Sequence, residues 1–164
     1  MKTLFLLRHA KSSWQNESLP DFERPLNERG RSAAPLIGKF MRQHKLRPDL
    51  ILCSPAERAR QTIALVSAAA AFKAELRYDE RIYAASAARL FAVVSQIDES
   101  AGSVLLVGHN PGLEELLEAL TGEVRHLPTA ALAHMTLNVE RWAGACEQTG
   151  ELVRLVKPKE LARS

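Results

Sequence analysis

Three short runs constrain the fold of this chain more than any other feature. Thr3 to Leu7 (TLFLL), Asp49 to Cys53 (DLILC) and Ser103 to Val107 (SVLLV) are almost wholly apolar, with no polar side to turn toward water. A strand with one wet face alternates polar and apolar residues, whereas an unbroken Leu/Ile/Val run of this length is the pattern of a strand covered on both faces. Helical patterns are interleaved with them, over Asn27 to His44, Pro55 to Phe72, Ala87 to Ile97 and Pro111 to Leu120, with a short AELRY strand before Asp79. Two later runs, Ala133 to Glu140 and Glu151 to Val156, alternate more clearly and read as strands nearer an edge. This alternation predicts an α/β fold: a three-layer α/β/α sandwich with a mainly parallel central sheet and helices on both faces.

With 164 residues, 46% hydrophobic and 25% charged, the chain can bury its own core. No repeat or Pro/Gly/Ser-rich linker divides it, so one domain over residues 1–164 is expected. No apolar run approaches the roughly 18 residues of a membrane helix, and membrane association is not expected. MKTLFLLRHAK looks superficially like a secretory signal, but Arg8 and His9 interrupt its apolar stretch, which predicts a first strand in a cytoplasmic protein. Lys and Arg are scattered and the net charge is only +3, which argues against nucleic acid. Cys53 and Cys146 form no CxxC pair and offer neither a disulfide framework nor a cysteine zinc site.

In open α/β sheets ligands bind beyond the carboxyl ends of the strands. Three of those ends carry unusual residues: Arg8-His9 after LFLL, Ser54-Pro55-Ala56-Glu57-Arg58 after DLILC, and Gly108-His109-Asn110-Pro111-Gly112 after SVLLV. Ser54 is placed to cap a helix that Pro55 opens and Glu57 completes as a capping box, and Asn110 and Pro111 suit the same roles one unit later. Each segment alone is a well-made turn or helix start. Together they put two histidines and two arginines on one sheet edge, which core packing does not require.

A metal ion is a poor guest there, because Arg8 and Arg58 repel it and no cysteine or well-placed carboxylate completes a ligand set. Neither metal nor other cofactor is expected. An anion fits better. Arginine forks match phosphate oxygens, a phosphoryl group in transfer needs its oxygens neutralised by preorganised positive groups, and a neutral imidazole can attack phosphorus as a nucleophile.

The segments LFLLRHAKSSW, ERPLNERG (Glu23 to Gly30), SPAERARQT (Ser54 to Thr62) and VGHNP (Val107 to Pro111) resemble, in order and spacing, the histidine phosphatase superfamily, and most of all its small SixA-type phosphohistidine phosphatases. The resemblance implies a phosphoglycerate mutase-like fold and a metal-independent phosphatase. His9 would be the nucleophile that becomes phosphorylated, and Arg8, Arg58 and His109 would form the rest of the phosphate pocket. Asp21 aligns with a SixA aspartate and is the expected general acid, while Glu80 resembles the acid of the mutase branch. Ser12, Gln15, Asn110 and Glu80 are the substrate-side candidates.

Ala10 departs from the motif, which usually has glycine, and its methyl is expected to crowd the turn after His9 without removing a catalytic group. Glu114 and Glu115 are explained by the dipole of the helix they open. Only a helix, a short strand and one more helix lie between Arg58 and His109, where relatives that enclose small sugar phosphates carry insertions. That shortness predicts an open site and a phosphohistidine on a protein, such as a histidine phosphotransfer domain, as substrate. The alternatives are a small phosphoester or mutase substrate of the same chemistry, or a phosphate-binding module without turnover. Thr129 falls at the pocket rim by resemblance, though a loop threonine accounts for it. The terminal KPKELARS is expected to be a frayed basic tail.

Overall fold

The computed structural model describes residues 1–162. Its strands are β1 (Lys2–Arg8), β2 (Leu50–Cys53), β3 (Glu75–Tyr78), β4 (Ser103–Gly108), β5 (Leu132–Leu137) and β6 (Gly150–Val156), and its helices α1 (Glu28–Gln43), α2 (Glu57–Ala70), α3 (Ala87–Ser95), α4 (Gly112–Thr121) and α5 (Pro158–Leu161). The strands form one six-stranded sheet in the order β3-β2-β4-β1-β5-β6. The first four are mutually parallel, whereas β5 runs antiparallel to both β1 and β6.

The unbroken apolar runs follow from this position. Successive strand side chains point to opposite faces. Leu4, Leu6, Val104 and Leu106 pack under α3 and α4, while Phe5, Leu7, Leu105 and Val107 pack under α1 and α2. Both faces are covered, so neither can be polar. α1 and α2 approach so closely that a methyl on Gly38 would collide with the Val66 carbonyl, and the small residues of VSAAAAF make room for that approach.

The reversal of β5 comes from its connection. α4 carries the chain away from the sheet's carboxyl edge, and residues 123–131 then climb back without regular structure. β5 therefore starts at the carboxyl end of β1 and descends, with Leu132 opposite Leu7 and Leu137 opposite Lys2. Its place beside β1 buries it more than its alternation suggests, and the edge is β6. The two expected helix caps are also different. α2 starts at Glu57 without a side-chain cap, and Glu57 binds Gln61 rather than closing a capping box. α4 starts at Gly112, and Asn110 does not cap it. The terminal segment is not frayed through residue 161: α5 forms, and Leu161 packs on the apolar cluster under α1 and α2. Its last two residues, Arg163 and Ser164, lie outside the described residues. None of the described helices is long and apolar enough to cross a membrane.

Candidate active site

The end of β1 is pinned from three directions. The His9 N–H donates to the Gly108 carbonyl at 3.0 Å, continuing the β1–β4 ladder. The Ala130 N–H donates to the carbonyls of both Arg8 and His9. The Ala10 N–H donates to Thr62 Oγ1 at 2.9 Å, and the Thr62 hydroxyl donates to the Arg58 carbonyl, so α2 is tied to the same turn. Gly30 packs against the Lys11 backbone, where a Cβ would collide with the Lys11 carbonyl. Ala10 itself is fully buried, keeps φ outside the left-handed region and joins the apolar cluster under α1 and α2. This turn therefore does not require glycine geometry.

His9 Nδ1 lies 2.7 Å from the Ala10 carbonyl. A carbonyl only accepts, so Nδ1 carries the hydrogen and Nε2 presents its lone pair. Arg58 Nε stands 3.4 Å from that nitrogen. Burial, joined by the charges of Arg58, Arg8 and Arg24, outweighs the Ala10 hydrogen bond and lowers the His9 pKa to about 4. The ring is therefore neutral at pH 7.

The His109 ring is 5.1 Å from that of His9 between centroids, and its Nε2 is 2.8 Å from Ser54 Oγ. Ser54 Oγ also accepts the Ala56 N–H at 3.2 Å. Nδ1 is buried and has no protein partner. Burial, then the neighbouring His9 and Arg58, lower the His109 pKa to about 3 against the opposing charge of Asp21. An anion in the site would push it back up.

Around the imidazoles stand three guanidiniums. Arg8 Nη1 donates to the Leu127 carbonyl at 3.0 Å while its Nε is buried without a partner. Arg58 Nη1 and Nη2 donate to the carbonyl and Oδ2 of Asp21 at 2.7 and 3.0 Å. Arg24, itself buried, donates through Nε and Nη2 to Asp21 Oδ1 and through Nη1 to Ser12 Oγ at 2.6 Å. The exposed Trp14 ring covers the Arg24 guanidinium at 3.6 Å. The Tyr83 hydroxyl donates to Asp21 Oδ2 at 2.7 Å, and its ring meets those of Phe22 and His109 edge-on. Burial raises the Asp21 pKa, but the hydrogen bonds from Tyr83, Arg24 and Arg58 prevail and hold it at about 2. Asp21 is thus the counter-ion of Arg58 and Arg24.

The structure brings Arg8, His9, Arg58, His109 and Asp21 together and joins Ser12 to them through Arg24. Asn110 also joins, through Nδ2 to the Leu127 carbonyl at 2.9 Å, with a buried, unpaired Oδ1. Gln15 and Glu80 are exposed, and their side chains make no hydrogen bond or ion pair with the described residues. Arg24, Thr62 and Tyr83 were not singled out from sequence, and Ser54 was read only as a helix cap. Arg24 stands inside ERPLNERG and Ser54 and Thr62 inside SPAERARQT, so the signal was present; Tyr83 had none.

Two neutral imidazoles ringed by guanidiniums, with Arg8 Nε and His109 Nδ1 unpaired among the described residues, suit an oxyanion far better than a cation. Residues 4–83 match the family described as the histidine phosphatase superfamily (branch 1). An uncharacterized protein of Mycobacterium tuberculosis is 36% identical over 105 residues, a match spanning 64% of this chain and 63% of that protein. A candidate phosphohistidine phosphatase SixA from Agrobacterium tumefaciens is 33% identical over 96% of this chain and 98% of its own, with a TM-score of 0.83. At 17% identity the fold alone is shared with a candidate alpha-ribazole-5'-P phosphatase from Escherichia coli, over 96% of this chain and 97% of that one, at a TM-score of 0.72. By motif, site geometry and whole-chain similarity, this chain belongs to the histidine phosphatase superfamily and is of its SixA type.

Proposed function

We propose that this chain is a metal-independent phosphatase that removes the phosphoryl group from a phosphohistidine on a protein through a covalent intermediate on His9. The phosphoryl oxygens take Arg8, Arg58 and His109 as partners. The His9 Nε2 lone pair attacks phosphorus in line, an N–P bond forms as the substrate's P–N bond breaks, and the leaving imidazole nitrogen takes up a proton. Water then attacks phospho-His9, its proton passes to a carboxylate, and the P–N electrons return to His9. Asp21 is the acid and base of this cycle rather than Glu80, because it alone of the two contacts Arg58. A phosphate that draws Arg58 away raises the Asp21 pKa toward the range where it donates a proton.

The observation that carries the reading is the His9 tautomer, fixed at 2.7 Å by the Ala10 carbonyl, which leaves Nε2 without a hydrogen and facing Arg58 Nε at 3.4 Å. A protein substrate is favoured because the segment from Arg58 to His109 holds α2, β3, α3 and β4 with one short 3₁₀ turn and no longer insertion, and Tyr83 after that turn is what it brings against Asp21 and His109. One domain over residues 1–164 belongs to the same proposal and rests on the single sheet.

The test is turnover of a phosphorylated histidine phosphotransfer domain in excess chelator, beside a panel of sugar and glycerate phosphates. Acid-labile, base-stable label is expected on the wild type and not on His9→Ala. Small phosphates turned over orders of magnitude faster would refute the protein substrate. No phosphate release from any of them would leave a binding module.

A further inference from the structure

Leu127 occupies a critical place in this site. Its carbonyl accepts from Arg8 Nη1 and Asn110 Nδ2, yet it lies in residues 123–131, which have no helix or strand to hold it. Pro128 follows and has no N–H to contribute. On the far side the segment is tied to β1 through Ala130. On the near side the Leu127 N–H donates to Glu114 Oε2 at 2.7 Å, and the same oxygen accepts from His126 Nδ1 at 2.7 Å. We propose that Glu114 is a positioning residue for phosphate binding, which holds the Leu127 backbone so that its carbonyl aims the Arg8 fork and the Asn110 amide into the pocket.

The inference rests on the phosphate-pocket reading above. A carboxylate in the first turn of α4 is favourable for the helix dipole alone, and Glu115 satisfies that account equally well. Glu115 is exposed and makes no hydrogen bond or ion pair with residues 123–131, whereas Glu114 makes two hydrogen bonds there. Glu114 is also electrostatically coupled to Arg8: burial lowers the Arg8 pKa, Glu114 raises it, and Arg58 lowers it further. Because Arg8 Nε has no protein partner, the Leu127 carbonyl is the contact that sets the direction of its fork.

Direct titration of tungstate and inorganic phosphate into the wild type, Glu114→Ala, Glu114→Gln and Glu115→Ala tests this, with melting temperatures recorded alongside. Glu114→Ala is expected to bind tungstate about tenfold more weakly, the size of one lost charge-assisted hydrogen bond. Glu114→Gln, whose amide oxygen still accepts the Leu127 N–H, is expected to keep most of the affinity, and Glu115→Ala all of it. Wild-type affinity in Glu114→Ala overturns the proposal, as does an equal loss in Glu115→Ala or in Glu114→Gln. Should Glu114→Ala fail to fold, Glu114→Asp, one methylene short of Leu127, must show the weakened binding, and wild-type affinity in it is equally fatal. Because binding is read without turnover, a wild type that binds tungstate but releases no phosphate refutes the phosphatase reading while the Glu114 comparison stands. A wild type that binds neither ion refutes both.

Discussion

Replacing Asp21 by asparagine separates two roles that one carboxylate plays in this site. Asp21 is held at a pKa of about 2, against an ordinary 3.8, by Tyr83, Arg24 and Arg58. A displacement of that size corresponds to roughly 2 kcal/mol. Its side chain is 50% exposed, so water screens much of this and ~1 kcal/mol is the realistic share. Phosphate must displace that carboxylate from Arg58, so Asp21→Asn is expected to bind inorganic phosphate about fivefold more tightly. Turnover goes the other way. With phenyl phosphate, whose leaving oxygen needs a proton, loss of a general acid costs about 100-fold in kcat or more. With phosphohistidine the leaving imidazole nitrogen takes a proton readily from water, and a loss of about tenfold or less is expected. The assay is kcat and KM for both substrates, with phosphate as competitive inhibitor, on wild type and variant. Equal losses on the two substrates, or none, remove Asp21 from the acid role, and weaker phosphate binding refutes the competition for Arg58.

The remaining predictions use the same geometry. Because the pKa of His9 is lowered to about 4 and that of His109 to about 3, the unfolded chain binds protons below its ordinary pKa of 6.5 that the folded chain refuses. Stability should therefore fall as pH drops from 6.5 toward 4, by on the order of 3 kcal/mol per histidine, and urea titrations of His109→Asn should show a shallower fall. Tyr83→Phe deletes a hydrogen bond that lowers the Asp21 pKa, so the Asp21 carboxyl should titrate at higher pH in the variant when followed by NMR; an unmoved titration refutes the coupling. Ala10→Gly loses a buried methyl and gains backbone freedom, so it should cost about 1–2 kcal/mol in urea unfolding with no gain in kcat. A faster Ala10→Gly enzyme would show that the methyl does crowd the nucleophile.

Much of this site could be read before folding because its members sit next to strong local signals. Arg8 and His9 end a run that only a buried strand explains, His109 ends another, and Arg58 lies in the first turn after a third. Where a residue stands relative to a strand end is a local property, and the carboxyl-edge rule converts it into position. The partners of those residues were not legible. Asp21 meets Arg58 across 37 residues, Ser54 meets His109 across 55, and Tyr83 meets Asp21 across 62. Such contacts depend on how loops fold over the sheet edge, and no periodicity records that.

The sequence by itself determined a parallel α/β core and the edge where two histidines and two arginines collect, because burial on both faces demands unbroken apolar strands and leaves polar residues only at their ends. The tertiary structure alone decided the charge and tautomer of that edge. The Ala10 carbonyl selects which nitrogen of His9 holds a proton, and Arg58 and Arg24 keep Asp21 ionised. Glu114 reaches Leu127 only because residues 123–131 climb back to the carboxyl edge before β5 descends. Proton placement follows from burial and from neighbours within a few ångströms, and those neighbours come from segments far apart along the chain.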